Sequence, residues 1–475
     1  MENDQKIIDI HIHIFNLNYL PIRGILQAHK IPRKIARLLE IALLHFTESS
    51  NFDKSLKQTF ILDDTSILFP YDLIRASDEE VIEDIMMRIE HSDELNNNPE
   101  IIDGLSELNT MVYSEKRELE YQYFFQEMDT LKDSSLQDKS IKKVRLSKLI
   151  DIFLKGFSYL KWFRFMMRSE VFILNDLLNN YQDVNQFVFH MMDAELFFHG
   201  KYNYSSRAKL SIDKKIQNMS TTILQSNNRL IGFVPFNPKR ENGLQIVTDA
   251  IENKGFKGAK FYPPLGYRAS INCNPEINKR IGSFFKYCES KKIPVFTHCT
   301  PTGFESIPGK SGLNSDPIYW EKLLIEHPDL ILCLGHAGGV EGWFATFDET
   351  KPFPRIVQNN LEIISYAEKV HSLCVSYKNV YCGVGFLDDV KDQKLRKNFI
   401  KRLNFLFEQK TGKYLFKDKI MYGSDWHMLF NEGLQFNYHE EYLKMFKNEG
   451  LKLTVKDQFF YLNASKYLKL NEDER

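Results

Sequence analysis

The sequence predicts an α/β chain: a (β/α)8 TIM barrel with a large helical insertion after its first strand. Three observations carry this reading. Eight short apolar segments have strand length and turn-residue boundaries. From the third onward, stretches of helical periodicity separate most of them, which implies a parallel sheet, and eight repeats suggest closure. Between the first and second strands lies a spacer far too long for one crossover, and it reads as nearly all helix.

The strands, in order, are IIDIHIH from Ile7, NQFVFHMMD from Asn185, LIGFVPF from Leu230 and GAKFYP from Gly258. PVFTHC from Pro294, LILCLGH from Leu330, NVYCGVG from Asn379 and IMYGSDW from Ile420 follow. Asn274-Pro275 reads as an N-cap with Pro in the first turn, opening the helix between the fourth and fifth strands. Residues 1–14 and 184–475 form the barrel, and 15–183 form a mainly helical lid or cap. Within that insertion, AHKIPRKIARLLEIALLHF has apolar residues at helical spacing, and SDEEVIEDIMMRIE opens with a capping box, Ser77 and Glu80. Further helical runs cover 105–131 and 138–180; the last holds FSYLKWFRFMMRSEVF, read as a helix packed under the lid. An insertion after the first barrel strand emerges at the end where barrel enzymes place their reacting groups.

Composition limits the function classes. The 475 residues are 43% hydrophobic and 26% charged, which is ordinary for a globular chain. Lys plus Arg number 62 and Asp plus Glu 63, so no basic field exists for nucleic acid or a membrane surface. No apolar run reaches the ~18–20 residues of a membrane span. The six cysteines form no C-x-x-C pair or disulfide framework, and the first residues lack a signal-peptide pattern. A reducing, cytoplasmic location is the expectation.

The chemistry centres on His11-Ile12-His13. In a regular strand alternate side chains share a face, so Asp9, His11 and His13 are expected toward the barrel axis and the isoleucines toward the helices. Two converging imidazoles make a divalent-metal claw. His298 ends the fifth strand, His336 the sixth and Asp425 the eighth, all at the carboxyl ends. Three histidine-bearing strands and one aspartate-bearing strand in the same register point to a metal site.

With these motifs in hand, the chain resembles the amidohydrolase superfamily, in its amidohydrolase-related branch of metal-dependent hydrolases and decarboxylases. DIHIH, KFYP, FTHC, GHAGG and YGSDW occur in order, and FFYLNASKYLKL resembles the closing helix of the family. The resemblance covers about residues 6–14 and 184–470 and leaves the insertion without a counterpart. It implies that His11, His13, His298 and Asp425 hold metal, that Asp425 also moves the proton of the water, and that His336 is a catalytic histidine polarising the substrate. Lys260 and His336 are the candidates for a second or bridging metal position. One ion with an unmodified Lys260 is the favoured arrangement. A nitrogen and carboxylate set without thiolate suits zinc, with manganese, iron or cobalt as competitors.

The implied activity is hydrolysis of an amide, lactone or related bond of a small molecule by a metal-activated water. The alternative is non-oxidative decarboxylation of an unsaturated or aromatic acid on the same scaffold. A further alternative is a non-catalytic barrel whose insertion binds a partner. Arg268 is a candidate carboxylate clamp, and Tyr262, His190, Trp426 and His427 are candidate substrate contacts. Cys299 is turned from His298 by alternation and lacks a base, and no nucleotide loop is present. A homo-oligomer is a base-rate expectation.

Overall fold

The computed structural model of the chain describes residues 5–28, 33–48, 92, 98–99, 162, 165–196, 208–307, 309–358, 361–432 and 438–470. Its strands are β1 (Ile8–Ile12), β2 (Gln186–His190), β3 (Leu230–Phe236), β4 (Gly258–Phe261) and β5 (Val295–Thr297). Then come β6 (Leu332–Leu334), β7 (Ile356–Gln358), β8 (Leu361–Ile363), β9 (Val380–Gly383) and β10 (Ile420–Met421). All but β7 and β8 form one sheet in the order β1-β2-β3-β4-β5-β6-β9-β10, each strand parallel to the next. The sheet closes because β1 also bonds past β10. Ile10 N–H donates to Tyr422 O at 3.3 Å, Asp425 N–H to His11 O at 2.6 Å, and His13 N–H to Trp426 O at 2.6 Å. The eight predicted strands are therefore the eight staves of the barrel. The antiparallel β7–β8 hairpin, between β6 and β9, is an excursion absent from the predicted strands.

The principal helices, in chain order, are α1 (Ile22–Ala28), α2 (Arg33–Phe46), α3 (Glu170–Asn180), α4 (Ile212–Gln225), α5 (Gly243–Asn253) and α6 (Pro275–Ser290). They continue with α7 (Ile318–Glu326), α8 (Tyr366–Ser376), α9 (Gln393–Glu408), α10 (Tyr438–Asn448) and α11 (Asn463–Leu468). Side-chain caps fix several starts: Asn274 Oδ1 accepts from Glu276 N–H at 2.9 Å before α6, and Asp392 Oδ1 from Lys394 and Leu395 N–H at 2.7 and 2.9 Å before α9. Ser169 does the same for α3, accepting from Phe172 N–H at 3.2 Å. That cap breaks the single helical run expected through FSYLKWFRFMMRSEVF. Of the other expected insertion helices, 77–90, 105–131 and 138–161 lie outside the described residues.

Two apolar layers result. One lies outside the sheet, between strands and helices. The other fills the barrel with Ile8, Ile10, Phe233, Phe296, Cys333 and Met421, joined by Ala464, Tyr467 and Leu468 of α11. The expected alternation in β1 fails here. Ile8 and Ile10 face the barrel interior, while Ile12 and Ile14 pack in the outer layer. A register irregularity between Asp9 and Ile12 shifts the phase of the strand. No helix among the described residues is long and apolar enough to cross a membrane. All six cysteines are free thiols, five of them buried.

Candidate metal centre

The irregularity in β1 is what places two of the histidines. A bulge takes backbone groups out of the ladder, and they need other partners. His11 N–H donates to Asp9 Oδ1 at 3.0 Å, and the same oxygen accepts from Ser424 N–H at 2.9 Å. On the other side, His190 Nε2–H donates to Ile10 O at 2.8 Å. Asp9 and His190 thus hold the bulge from both sides, and burial pushes the Asp9 carboxyl up to about 6.

Beyond the bulge, His11 and His13 meet Asp425. Both Nε2 atoms lie 3.1 Å from Asp425 Oδ1, and one donor atom from each of the three residues falls within 4.8 Å of the others. Donors ~2.0–2.1 Å from a tetrahedral ion stand about 3.3 Å apart, and the two 3.1 Å separations from Asp425 Oδ1 match that spacing. His13 Nδ1–H donates to His190 O at 2.9 Å, which leaves a lone pair on Nε2. Neither ring nitrogen of His11, nor Asp425 Oδ1, has a hydrogen-bond partner among the described residues, although all three atoms are buried. Burial, helped by the Lys260 charge, pushes His11 well below its ordinary value and His13 down to about 3. Both rings are then neutral, the form that binds metal. Burial raises Asp425 to about 6 against the opposing pull of His336 and Lys260. Asp425 has φ 64° and His336 φ 58°. Left-handed non-glycine backbone of this kind costs about 1–3 kcal/mol and clusters at functional sites.

His298 stands beside this cluster. Its Nε2–H donates to Thr302 O at 2.6 Å, and its Nδ1 lies 3.0 Å from His336 Nε2. His336 in turn donates Nδ1–H to Gly385 O at 3.0 Å, with Nδ1 4.0 Å from Asp425 Oδ2. Neutral His336 therefore presents a lone pair at Nε2, so its geometry suits a base or a ligand rather than the polarising donor expected from the sequence.

Lys260 is buried on β4, its Nζ 4.2 Å from the Phe296 ring centre, and burial lowers it to about 7. The Tyr262 hydroxyl accepts from Phe304 N–H at 3.0 Å, and its ring lies 4.8 Å from that of His298. These residues floor a cavity of about 480 Å³. The remaining sequence candidates lie elsewhere. The Arg268 guanidinium sits 4.6 Å over Tyr319, with Nε donating to Asn314 Oδ1 at 3.0 Å. His190 supports the bulge instead of lining the cavity. Trp426 and His427 are fully buried behind its wall, where His427 Nδ1 accepts from Trp162 Nε1–H at 3.0 Å. Cys299 is buried near Ser315 O, and burial pushes its thiol up, in line with an inert role.

The sequence reading missed Gly385. A Cβ there would lie 2.9 Å from His11 Nδ1, so only glycine leaves the ring its place. The Gly-Val-Gly run at the end of the seventh predicted strand was the available signal.

No protein-family model and no curated protein sequence matches the chain. Solved structures do match. A probable 2-pyrone-4,6-dicarboxylic acid hydrolase from Acinetobacter baumannii, with citric acid bound, is 16% identical over 62% of this chain and 87% of that one, at TM-score 0.39. A dihydroxybenzoic acid decarboxylase from Polaromonas sp. JS666, with manganese and 2-nitroresorcinol, is 13% identical over 62% and 85%, at 0.39. An amidohydrolase from Burkholderia multivorans with bound zinc is 9% identical over 62% and 87%, at 0.39. The matched structures thus include hydrolases and decarboxylases, with amidohydrolases among them.

Proposed function

We propose that the chain is a metal-dependent hydrolase acting on an amide, lactone or related bond of a small molecule, with one divalent ion, zinc foremost. The observation that carries this reading is the meeting of His11, His13 and Asp425, where His11 Nε2 and Asp425 Oδ1 are buried and have no hydrogen-bond partner among the described residues. When bound, such an ion supplies Lewis acidity and lowers the pKa of water toward ~7. Asp425, whose Oδ2 lies 4.0 Å from His336 Nδ1, is suited to take a proton from the attacking water and return it to the leaving group. Lys260 supplies a positive charge at the cavity floor for the developing oxyanion. His298 and His336 complete the inward imidazole set, and His336 Nε2 offers a second proton acceptor.

Elemental analysis is the first test. Stoichiometric metal is expected, and His11→Ala with His13→Ala should remove at least nine-tenths of it, as two of the three clustered donors are lost. Full metal retention by the double variant would overturn the assignment. Uptake of labelled solvent oxygen into product is expected; release of carbon dioxide without it would assign decarboxylation instead.

A further inference from the structure

The cavity above the metal cluster has a marked division of character. Phe15, Leu17, Leu20, Ile22, Ile25 and Leu26, all from the segment after β1, line it with apolar surface. Phe304, Val340 and Met428 add to that surface. Among the described residues, the charged lining residues fall into two groups. Lys260 and Asp425 are buried beside the histidines. Asp388 and Glu432 are 27% and 28% exposed and share Lys391, whose Nζ is 2.7 Å from Glu432 and 4.0 Å from Asp388. Among the described residues, the more exposed part of the lining thus carries two carboxylates, with the Lys391 ammonium beside them. Arg268, the one arginine proposed from sequence as an anion clamp, is turned onto Tyr319 and Asn314.

We infer that the substrate has a single polar head, placed at the His11–His13–Asp425 cluster and Lys260, and an uncharged apolar body of medium length along the segment Phe15–Leu26. This rests on the hydrolase reading and specifies its substrate class: an amide or lactone with an alkyl or aryl tail, rather than a molecule with a second carboxylate. An apolar body gains by leaving water for this lining, each buried methylene being worth about three- to fourfold in affinity. A second carboxylate at the far end would lose its hydration among apolar side chains, or meet the like charges of Asp388 and Glu432.

The test uses the zinc-loaded full chain and calorimetric titration with acetohydroxamate, hexanohydroxamate, octanohydroxamate and the monohydroxamate of suberic acid. The expected result is zinc-dependent binding of acetohydroxamate, affinity rising at least tenfold to octanohydroxamate, and at least tenfold weaker binding of the ω-carboxylate than of octanohydroxamate. Zinc-dependent acetohydroxamate binding with no gain from chain length, or with the ω-carboxylate bound equally well, overturns this inference and leaves the metal site standing. Absence of zinc-dependent binding by every hydroxamate overturns both. Ile25→Arg, at a half-buried position of the lining, should erase the chain-length gain while acetohydroxamate affinity stays within twofold; an undiminished gain also counts against the inference.

Discussion

His298 Nδ1 and His336 Nε2 face one another at 3.0 Å, while the other nitrogen of each ring donates to a backbone carbonyl. A carbonyl only accepts, so each facing nitrogen carries a lone pair when the rings are neutral. Burial holds them neutral, with His336 down to about 4 and His298 well below its ordinary value. Two bare lone pairs at this separation repel, and a neighbouring cation relieves the repulsion. His298→Ala is therefore expected to weaken zinc or manganese binding by at least tenfold, in line with the ~10–100-fold cost of removing groups that support a metal site. Competition titration against a chelating dye measures it. Unchanged affinity would place His298 outside the ligand set.

The His190 side chain bonds the bulge carbonyl of Ile10 and lends its own carbonyl to His13, so one residue supports both β1 histidines. His190→Ala leaves Ile10 O buried without that donor and opens a gap against Phe296, whose ring centre is 4.1 Å from that of His190. A loss of about 2–4 kcal/mol in urea unfolding is expected, together with a ~10–100-fold drop in metal affinity. Destabilisation with full metal affinity would reduce His190 to packing alone.

The barrel was readable because strand patterning and Gly, Pro and Asn punctuation are local signals, and because strand ends fix the height of His298, His336 and Asp425. The inner and outer faces of β1 were not readable. A bulge depends on Ser424 and His190, which are distant in sequence and satisfy the backbone groups around Asp9 and Ile10 only in the closed barrel. Arg268 carries the composition of an anion clamp, and only the position of Tyr319 and Asn314 decides otherwise. The β7–β8 hairpin has three-residue strands, too short for alternation to register.

Lys260 decides the metal count. An unmodified ammonium contributes charge and no ligand atom. Lys260→Met is expected to leave metal stoichiometry unchanged while lowering kcat/KM by about 10²-fold, the scale for losing one positioned electrostatic group. Loss of an ion from this variant in elemental analysis, or a carbon dioxide adduct on the wild-type chain in native mass spectrometry, would instead assign a bridging carbamate.

His371 gives the fold an acid sensitivity away from the metal cluster. It packs between Phe353 and Phe416, and burial lowers it from 6.5 to about 4. Between those values the unfolded chain binds a proton that the folded chain refuses, so stability falls as pH drops through 6.5 toward 4. This site accounts for about 2 kcal/mol of loss near pH 5. In urea unfolding at about pH 7.5 and pH 5, His371→Gln should show an acid loss smaller than wild type by roughly that amount. Equal losses would mean His371 titrates normally.

Gly385 and Gly282 form a matched pair of tests. An added Cβ at Gly385 would lie 2.9 Å from His11 Nδ1 and 3.4 Å from Asp425 Cβ, whereas at Gly282 it meets nothing within 4 Å. Gly282 lies inside α6, so Gly282→Ala should stabilise by about 0.5–1 kcal/mol through lower unfolded-state entropy and better helix propensity. Gly385→Ala gains the same entropic benefit but drives the His11 ring off its position, and overpacking of this kind costs about 1–3 kcal/mol. Because the displaced ring is His11, metal affinity should fall with stability in Gly385→Ala and stay unchanged in Gly282→Ala. Parallel urea unfolding and metal titrations separate the two, and full metal affinity in Gly385→Ala would show that the His11 ring can relax without leaving the cluster.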